Sequence, residues 1–211
     1  MGESRMTTRR VTKRRGQTRR RLLDAAMEVF AESGFGRASV EEVCGRAGYT
    51  RGAFYSNFVS LDELFLLMWQ ERTDAFIEAA EAAVDAAERD PVGSLEEGVE
   101  RLLDVAVVDD AWFRVQAEFT AHALRTPGLR DVMAARERRI SELLMRVLDR
   151  AVEHVGRRIP DREAFADALV AVHEGTAIQC LVEPGSRVVR GRRRALFLAV
   201  VHAYTEVHEG A

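Results

Sequence analysis

Apolar residues recur at helical spacing along almost the whole chain, and no strand-like alternation runs for a useful length. Leu22, Leu23, Ala26, Val29 and Phe30 make one stripe on a helix from about 17 to 33, and Gly34 closes it. Val40, Val43 and Cys44 place a second, short helix after Ser39. The side chains of Ser39 and Glu42 can each bond the other's backbone at the start of that helix. Gly48 supplies a turn, because left-handed backbone costs glycine no Cβ clash. Thr50 then caps a third helix over 50–57, on which Phe54 and Phe58, one turn apart, anchor one face.

Six helices follow. Ser60 and Glu63 form another reciprocal cap and open a helix from Leu61 to about Glu88, roughly 40 Å long at ~1.5 Å per residue. Its first turn, with Leu64 and Phe65, faces the first three helices, and its middle, with Trp69, Thr73 and Phe76, lies in a second domain. Further helices are expected at about 94–107 behind Ser94 and Glu97, and from Asp109 or Asp110 to about 124. Another opens at Thr126-Pro127, where proline at the first helical position loses no hydrogen bond, and runs to Gly156. The last two are expected from Asp161 to about 182 and over about 190–208. The fold class is therefore all-α. A basic, disordered arm (1–16) precedes a three-helix helix-turn-helix domain (17–60), and a larger helical domain (61–211) follows.

Charge sharpens the N-terminal reading. Residues 1–60 carry twelve basic and six acidic side chains, net +6, and the remainder is net −9, which together give the −3 of the whole chain. Nine of those basic residues precede position 22, among them Arg19 and Arg20 at the start of the first helix. A basic block beside a helix pair sized for the major groove is the footprint of phosphate binding. Between Phe54 and Phe58 the third helix carries small, polar or hydrogen-bonding residues, as a recognition helix would, although any helical hairpin shares the bare pattern. Thr50, Arg51, Tyr55, Ser56 and Asn57 are the candidate contacts to bases or phosphates. Gly52 and Ala53 permit close approach, and Ser39 sits at a helix N-terminus suited to a phosphate.

Residues 17–70 resemble the DNA-binding domain of the TetR (tetracycline-repressor) family of bacterial regulators. The matching stretches are Leu-Leu-Asp-Ala-Ala-Met-Glu-Val-Phe-Ala-Glu-Ser-Gly-Phe (22–35), Ser39-Val40, Val43-Cys44, Ala47-Gly48, Gly52 through Phe58 and Leu64-Phe65. The later two thirds resembles the family in layout and in short phrases such as Arg125-Thr126-Pro127-Gly128-Leu129-Arg130. The resemblance implies a dimeric repressor that binds a palindromic operator and is released by a small, largely apolar effector. It also marks two departures. Asn57 stands where the family often has His, and Leu61 stands where it usually has a phosphate-contacting Lys.

Two residue sets are assigned to the second domain. Trp112, Phe113, Gln116, Phe119, Thr120 and Met133, with Trp69, Phe76, Leu102 and His173, mix apolar and polar groups as small-molecule pockets do. The resemblance places an effector between these middle helices, and ordinary core is the competing reading. Phe165, Leu169, Val172 and Thr176 on one late helix, and Leu196, Ala199, Val200, Ala203 and Tyr204 on the other, are the expected faces of a four-helix dimer interface.

Other chemistry finds little support. There is no glycine-rich phosphate loop, no zinc-ligand spacing and no nucleophile–base pair, so no enzyme, cofactor or metal is expected. Cys44 and Cys180 fall in different domains, and no disulfide is expected. No apolar window suggests a membrane span, no apolar core follows the basic N-terminus as in a signal peptide, and a cytoplasmic protein is expected. The expected partners are double-stranded DNA, a second copy of the chain and a small-molecule effector. A DNA-binding protein controlled by a partner, or by no ligand, is the alternative.

Overall fold

The computed structural model describes residues 3–89 and 93–207, with side chains from Arg14 onward except Glu88. The chain is helical almost throughout, and caps set its helix boundaries. α1 (Glu3–Ser33) buries Leu22, Leu23, Ala26, Val29 and Phe30 along one stripe. It begins well before residue 17, so the arm expected to be disordered is helical from Glu3. Arginine, glutamine and lysine are good helix formers, and the lone Gly16 is tolerated. The side chains of Arg5, Arg9, Arg10 and Lys13 lie outside the described residues.

Gly34, at φ 83°, turns the chain into a short 3-10 turn (Phe35–Arg37). α2 (Val40–Ala47) starts in a full capping box: Glu42 N donates to Ser39 Oγ at 3.2 Å, and Ser39 N donates to Glu42 Oε2 at 2.8 Å. Gly48 ends α2 in the left-handed region, at φ 71°. α3 (Arg51–Tyr55) is capped by Thr50, whose Oγ1 accepts from Ala53 N at 3.3 Å.

α4 (Leu61–Arg89) is the long helix foreseen. Its cap differs in one bond: Glu63 N donates to Ser60 Oγ, but the Glu63 carboxylate accepts from Val59 N. α5 (Leu95–Val105) and α6 (Asp110–Ala123) are capped by Ser94 and Asp109. α7 (Leu129–Glu153) begins after Gly128, which takes φ 78°, so Pro127 is not its first residue. Thr126 instead serves the preceding helix, where its hydroxyl donates to the His122 carbonyl at 3.0 Å and closes α6. α8 (Arg162–Val182) is capped by Asp161. α9 (Arg187–Tyr204) starts three residues early because Ser186 caps it, and ends before 208. Two residue pairs too short to show any periodicity, β1 (Arg157–Arg158) and β2 (Glu206–Val207), join antiparallel near the ends of α7 and α9.

Two compact units emerge. One comprises the chain up to Arg72 together with Asp109–Pro127, and the other comprises Thr73–Val108 and the chain from Gly128. The first thus takes in the opening turns of α4 and all of α6, beyond the 17–60 segment. Aromatic packing explains this. Phe119 of α6 is fully buried, its ring centroid 4.0 Å from Phe65 and 5.0 Å from Phe35, and Phe35 lies 5.1 Å from Phe30. The second unit is built around Ile77 and Val84 of α4, Val99 of α5, Leu148 of α7, Phe165 of α8 and Phe197 of α9.

By length and composition α8 is apolar enough to cross a membrane, contrary to the sequence expectation, with 28% of its most apolar window buried. Its apolar residues divide between two faces. One, including Phe165 and Leu169, packs inside the second unit, and the other carries Ala171, Gly175, Ile178 and Val182 in the open.

Candidate nucleic-acid interface

α3 is a short helix with one anchored side and one open side. Phe54 and Phe58 are 0% and 2% exposed, with ring centroids 5.5 Å apart, and they hold the helix on the first unit. Thr50, Arg51, Gly52, Tyr55 and Ser56 are exposed, and Ala53 is half-buried. A Cβ at Gly52 would meet only Thr50 Oγ1, at 3.7 Å, so nothing inside the chain requires glycine there. The open side therefore offers a slim helix flanked by polar groups and one aromatic ring.

The candidate contacts do not all remain available. Ser39 and Thr50 spend their hydroxyls as caps, and Ser56 Oγ donates back to the Gly52 carbonyl at 2.7 Å. Arg51 forms a 2.5 Å ion pair with Glu41 of α2, and its guanidinium lies 5.9 Å from the centroid of the Tyr55 ring. Asn57 is turned away from the surface. Its Nδ2 donates to the Ala53 carbonyl at 2.8 Å, and its Oδ1 is buried without a partner among the described residues. The last carbonyls of a five-residue helix have no intrahelical donor, and this side chain supplies one. The base-reading role considered for Asn57 is thus at odds with its placement, and that position acts as a helix stop.

Upstream, the two arginines expected beside DNA part company. Arg19 lies over Phe58, 5.4 Å from the ring centroid, next to the recognition helix. Arg20 is drawn to α4 by a 2.5 Å ion pair with Glu71. Arg15, part of the basic block, was not singled out as a candidate contact: its guanidinium donates to the Ser56 carbonyl at 3.1 Å, at the C-terminal end of α3. One helical turn separates residues 15 and 19, and that spacing was the available signal. Cations are favoured at that end by the helix dipole. Glu41 was overlooked too, because an acid in the first turn of a helix reads as an ordinary cap partner.

The aromatic residues assigned to a ligand pocket are mostly core. Trp69 and Phe119 are buried in the first unit, and Trp112 stacks on Phe65 at 5.4 Å with the Arg72 guanidinium 4.8 Å from its ring centroid. Phe113, Gln116 and Thr120 are half-buried on the same helix, α6. Phe76, Leu102, Met133 and His173 belong to the second unit. Phe76 and Leu102 pack against its core, Met133 is buried, and His173 bonds Arg193. The ten residues are divided between the two units. The second unit does hold an apolar cavity of about 90 Å³, lined by parts of α4, α5, α7, α8 and α9, and Leu102 is the one assigned residue that reaches it. Among the described residues no three His, Cys, Asp or Glu side chains gather as a metal-binding set.

The dimer faces need a similar correction on one helix. Phe165, Leu169 and Thr176 are buried inside the second unit and Val172 is half-buried, so they are not available to a second chain. The open face of α8 is Ala171, Gly175, Ile178 and Val182. On α9, Leu196, Ala199, Ala203 and Tyr204 are exposed and Val200 is half-buried, as an interface requires. Gly191 and Ala195 extend the α9 face, so small residues recur every fourth position from 191 to 203.

Comparison with known proteins covers both units. Residues 22–68 match the pattern of bacterial regulatory proteins of the tetR family, and residues 91–206 match the C-terminal region of BetI-type transcriptional repressors. The HTH-type transcriptional regulator AcrR of Shigella flexneri is 33% identical over 103 residues, 48% of this chain and 47% of that protein. The chain spans half or less of the length of the curated relatives it matches. A TetR-family structure from Mesorhizobium loti superposes with a TM-score of 0.67 at 18% identity, over 90% of this chain and 96% of that one. SmeT, described as the repressor of a Stenotrophomonas maltophilia multidrug efflux pump, superposes in its triclosan complex with a TM-score of 0.61 at 24% identity, over 92% and 93%. At these identities the structural likeness is one of fold.

Proposed function

The chain belongs to the TetR family of bacterial transcriptional regulators, and from that premise we propose that it is a cytoplasmic repressor, dimeric on a palindromic operator and released by a small apolar effector. The observation that carries this reading is the open side of α3, held on Phe54 and Phe58 and bordered by Arg15 and Arg19. Tyr55 and Arg51 read base edges or phosphates there, Gly52 and Ala53 let the helix sit close, and the basic arm adds phosphate attraction. The BetI-type repressor match and SmeT's description as a repressor support the sign, and triclosan in the SmeT structure supports an apolar effector.

Dimerisation follows from the open faces of α8 and α9. Two copies packed through them form a four-helix seam, and two recognition helices ~34 Å apart then read successive major grooves on one face of DNA. An effector in the second unit acts through α4, whose residues up to Arg72 belong to the first unit and whose remainder belongs to the second. The coupling is reciprocal, so the effector binds the DNA complex more weakly by the factor by which it weakens DNA binding.

The test is fluorescence anisotropy with DNA from upstream of the protein's own gene. Tyr55→Ala removes a ring that is 50% exposed and packs edge-on to Phe54, and it should weaken specific binding about tenfold or more, equivalent to ~1–3 kcal/mol for a base contact. Unchanged affinity would remove Tyr55 from the interface, and absence of any specific site for the parent chain would overturn the DNA-binding assignment. A second variant probes the competing ion pair. Glu41→Gln releases Arg51 and removes a negative charge facing the phosphates. Binding should tighten a few-fold, with the plot of log affinity against log salt steeper by about one unit. A weaker complex or an unaltered slope would show that Arg51 is not a phosphate or base ligand.

A further inference from the structure

The turn that leaves the recognition helix carries an exposed apolar side chain. Val59, four residues past Tyr55, is 78% exposed, against 50% for Tyr55 itself. Its backbone is held on both sides. Phe58 N donates to the Phe54 carbonyl at 2.9 Å, and the Phe58 ring is buried with the Arg19 guanidinium 5.4 Å from its centroid. Val59 N donates to the Glu63 carboxylate at 2.6 Å, and Ser60 Oγ accepts from Glu63 N at 3.1 Å, so the start of α4 fixes the residues that follow. The bond at position 59 uses the backbone and would form with any residue but proline. The valine side chain therefore stands in water on a fixed stretch of backbone, and branching at Cβ leaves it few rotamers.

The surroundings of Val59 decide what it can meet. Arg15 lies on the Ser56 carbonyl and Arg19 beside Phe58, so this end of α3 carries two cations and then one apolar group. Ser60, Leu61, Asp62 and Glu63 follow, and the positive charge stops there. On a duplex approached by α3 the two cations suit phosphates. A valine gains nothing from a phosphate, whose oxygens would lose water against it without a hydrogen bond in return. In the major groove the base edges present donors and acceptors, and the apolar group among them is the C5-methyl of thymine. Contact between that methyl and the valine removes apolar surface of both from water.

We propose that Val59 is a further specificity-determining residue, which selects a thymine in each half-site by contact with its methyl group. The proposal rests on the reading of α3 as a recognition helix. It adds a base contact outside that helix, of a kind that Arg51 and the hydroxyl groups of α3 do not supply. It also gives Val59 a different part from Arg15 and Arg19, since contacts to phosphates fix register and carry no sequence information.

The experiment uses the full chain, the specific DNA site that serves for Tyr55→Ala, and deoxyuridine, whose base differs from thymine by the missing methyl alone. Each thymine of the site is replaced singly, and anisotropy gives the affinity of the parent and of Val59→Ala. At one thymine in each half-site the replacement should weaken the parent about fourfold, the effect of withdrawing one buried methyl group. Val59→Ala should bind the unmodified site more weakly by a similar factor and be indifferent to uracil at that position. Uracil at the other thymines should affect both proteins alike. The melting temperature of Val59→Ala should match the parent's, because the side chain is exposed. Val59→Thr, with a hydroxyl in place of one methyl, is the second variant should the alanine chain not fold, and it should show a weaker response to uracil than the parent. Equal losses in the parent and the variant at every thymine would overturn the proposal and leave the role of α3 standing. A parent chain that binds no specific DNA would remove the recognition reading and this contact with it.

Discussion

Alanine in place of Phe119 is expected to destabilise the first unit by about 3–5 kcal/mol, the range for deleting a buried phenyl ring where the walls cannot collapse. Phe119 is fully buried and central to a cluster in which its ring stacks at 4.0 Å on Phe65 and meets Phe35 edge-on at 5.0 Å. Phe35 leads the turn into α2, and Phe65 stands in the first turns of α4. Removing the shared ring therefore loosens three elements at once. A Cβ at Gly34 would come within 2.6 Å of a Glu118 carboxylate oxygen, so this side chain of α6 reaches the end of α1. Phe113→Ala, on the half-buried flank of the same helix, is the control and should cost well under half as much. Urea unfolding followed by circular dichroism measures both. Equal costs for Phe119→Ala and Phe113→Ala would contradict the assignment of α6 to the core of the first unit.

That assignment also shows where sequence reasoning stops. Helical spacing announces that Phe119 is buried, but periodicity does not say against what, and its neighbours Phe35 and Phe65 are far away in the chain. Caps are different, because a cap and its partner lie within four residues. Ser39, Thr50, Ser94, Asp109 and Asp161 were all readable as helix starts for that reason. Thr126 misled because the same hydroxyl can close one helix or open the next, and here it closes α6.

Site residues divide along the same line. The open side of α3 follows from two anchoring phenylalanines with polar residues between them. The fate of Asn57 depends on where a five-residue helix ends, which composition does not carry. α8 is apolar nearly all round, so the choice between its core face and its open face waits on the positions of α7 and α9. The cavity was missed because aromatic residues were sought, whereas Ala80, Ala83, Ala87, Gly98 and Ala151 line the space.

A pH dependence is expected from the buried Arg193 and the half-buried His173 of the second unit. Arg193 is 6% exposed, and among the described residues its hydrogen-bond partners are all neutral. One terminal nitrogen donates to Thr176 Oγ1 at 2.7 Å and to the His173 carbonyl at 3.3 Å. The other donates to the Ala106 carbonyl at 3.3 Å and to His173 Nδ1 at 3.0 Å. The guanidinium keeps its charge, so Nδ1 must be the acceptor, and this bond places the imidazole proton on Nε2. Protonating Nδ1 would remove the acceptor and set two cations face to face. Burial first, and Arg193 second, push the His173 pKa down from 6.5 to about 4. Between those two values the unfolded chain binds a proton that the folded chain refuses, so stability rises with pH across this window. The folded state keeps its full margin above about pH 6.5, loses it progressively as pH falls towards 4, and loses no more from this group below that. A shift of this size corresponds to on the order of 3 kcal/mol at ~1.4 kcal/mol per unit. Asparagine at 173 presents an amide oxygen in place of Nδ1 and has no proton to take up. His173→Asn should therefore fold at pH 7 and lose less stability than the parent between pH 6.5 and 4, by an amount near that figure. Urea midpoints at pH 7, 5.5 and 4 for both proteins measure the difference. Parallel pH profiles would mean that His173 accepts its proton in the folded chain, and that the bond from Arg193 does not hold it neutral.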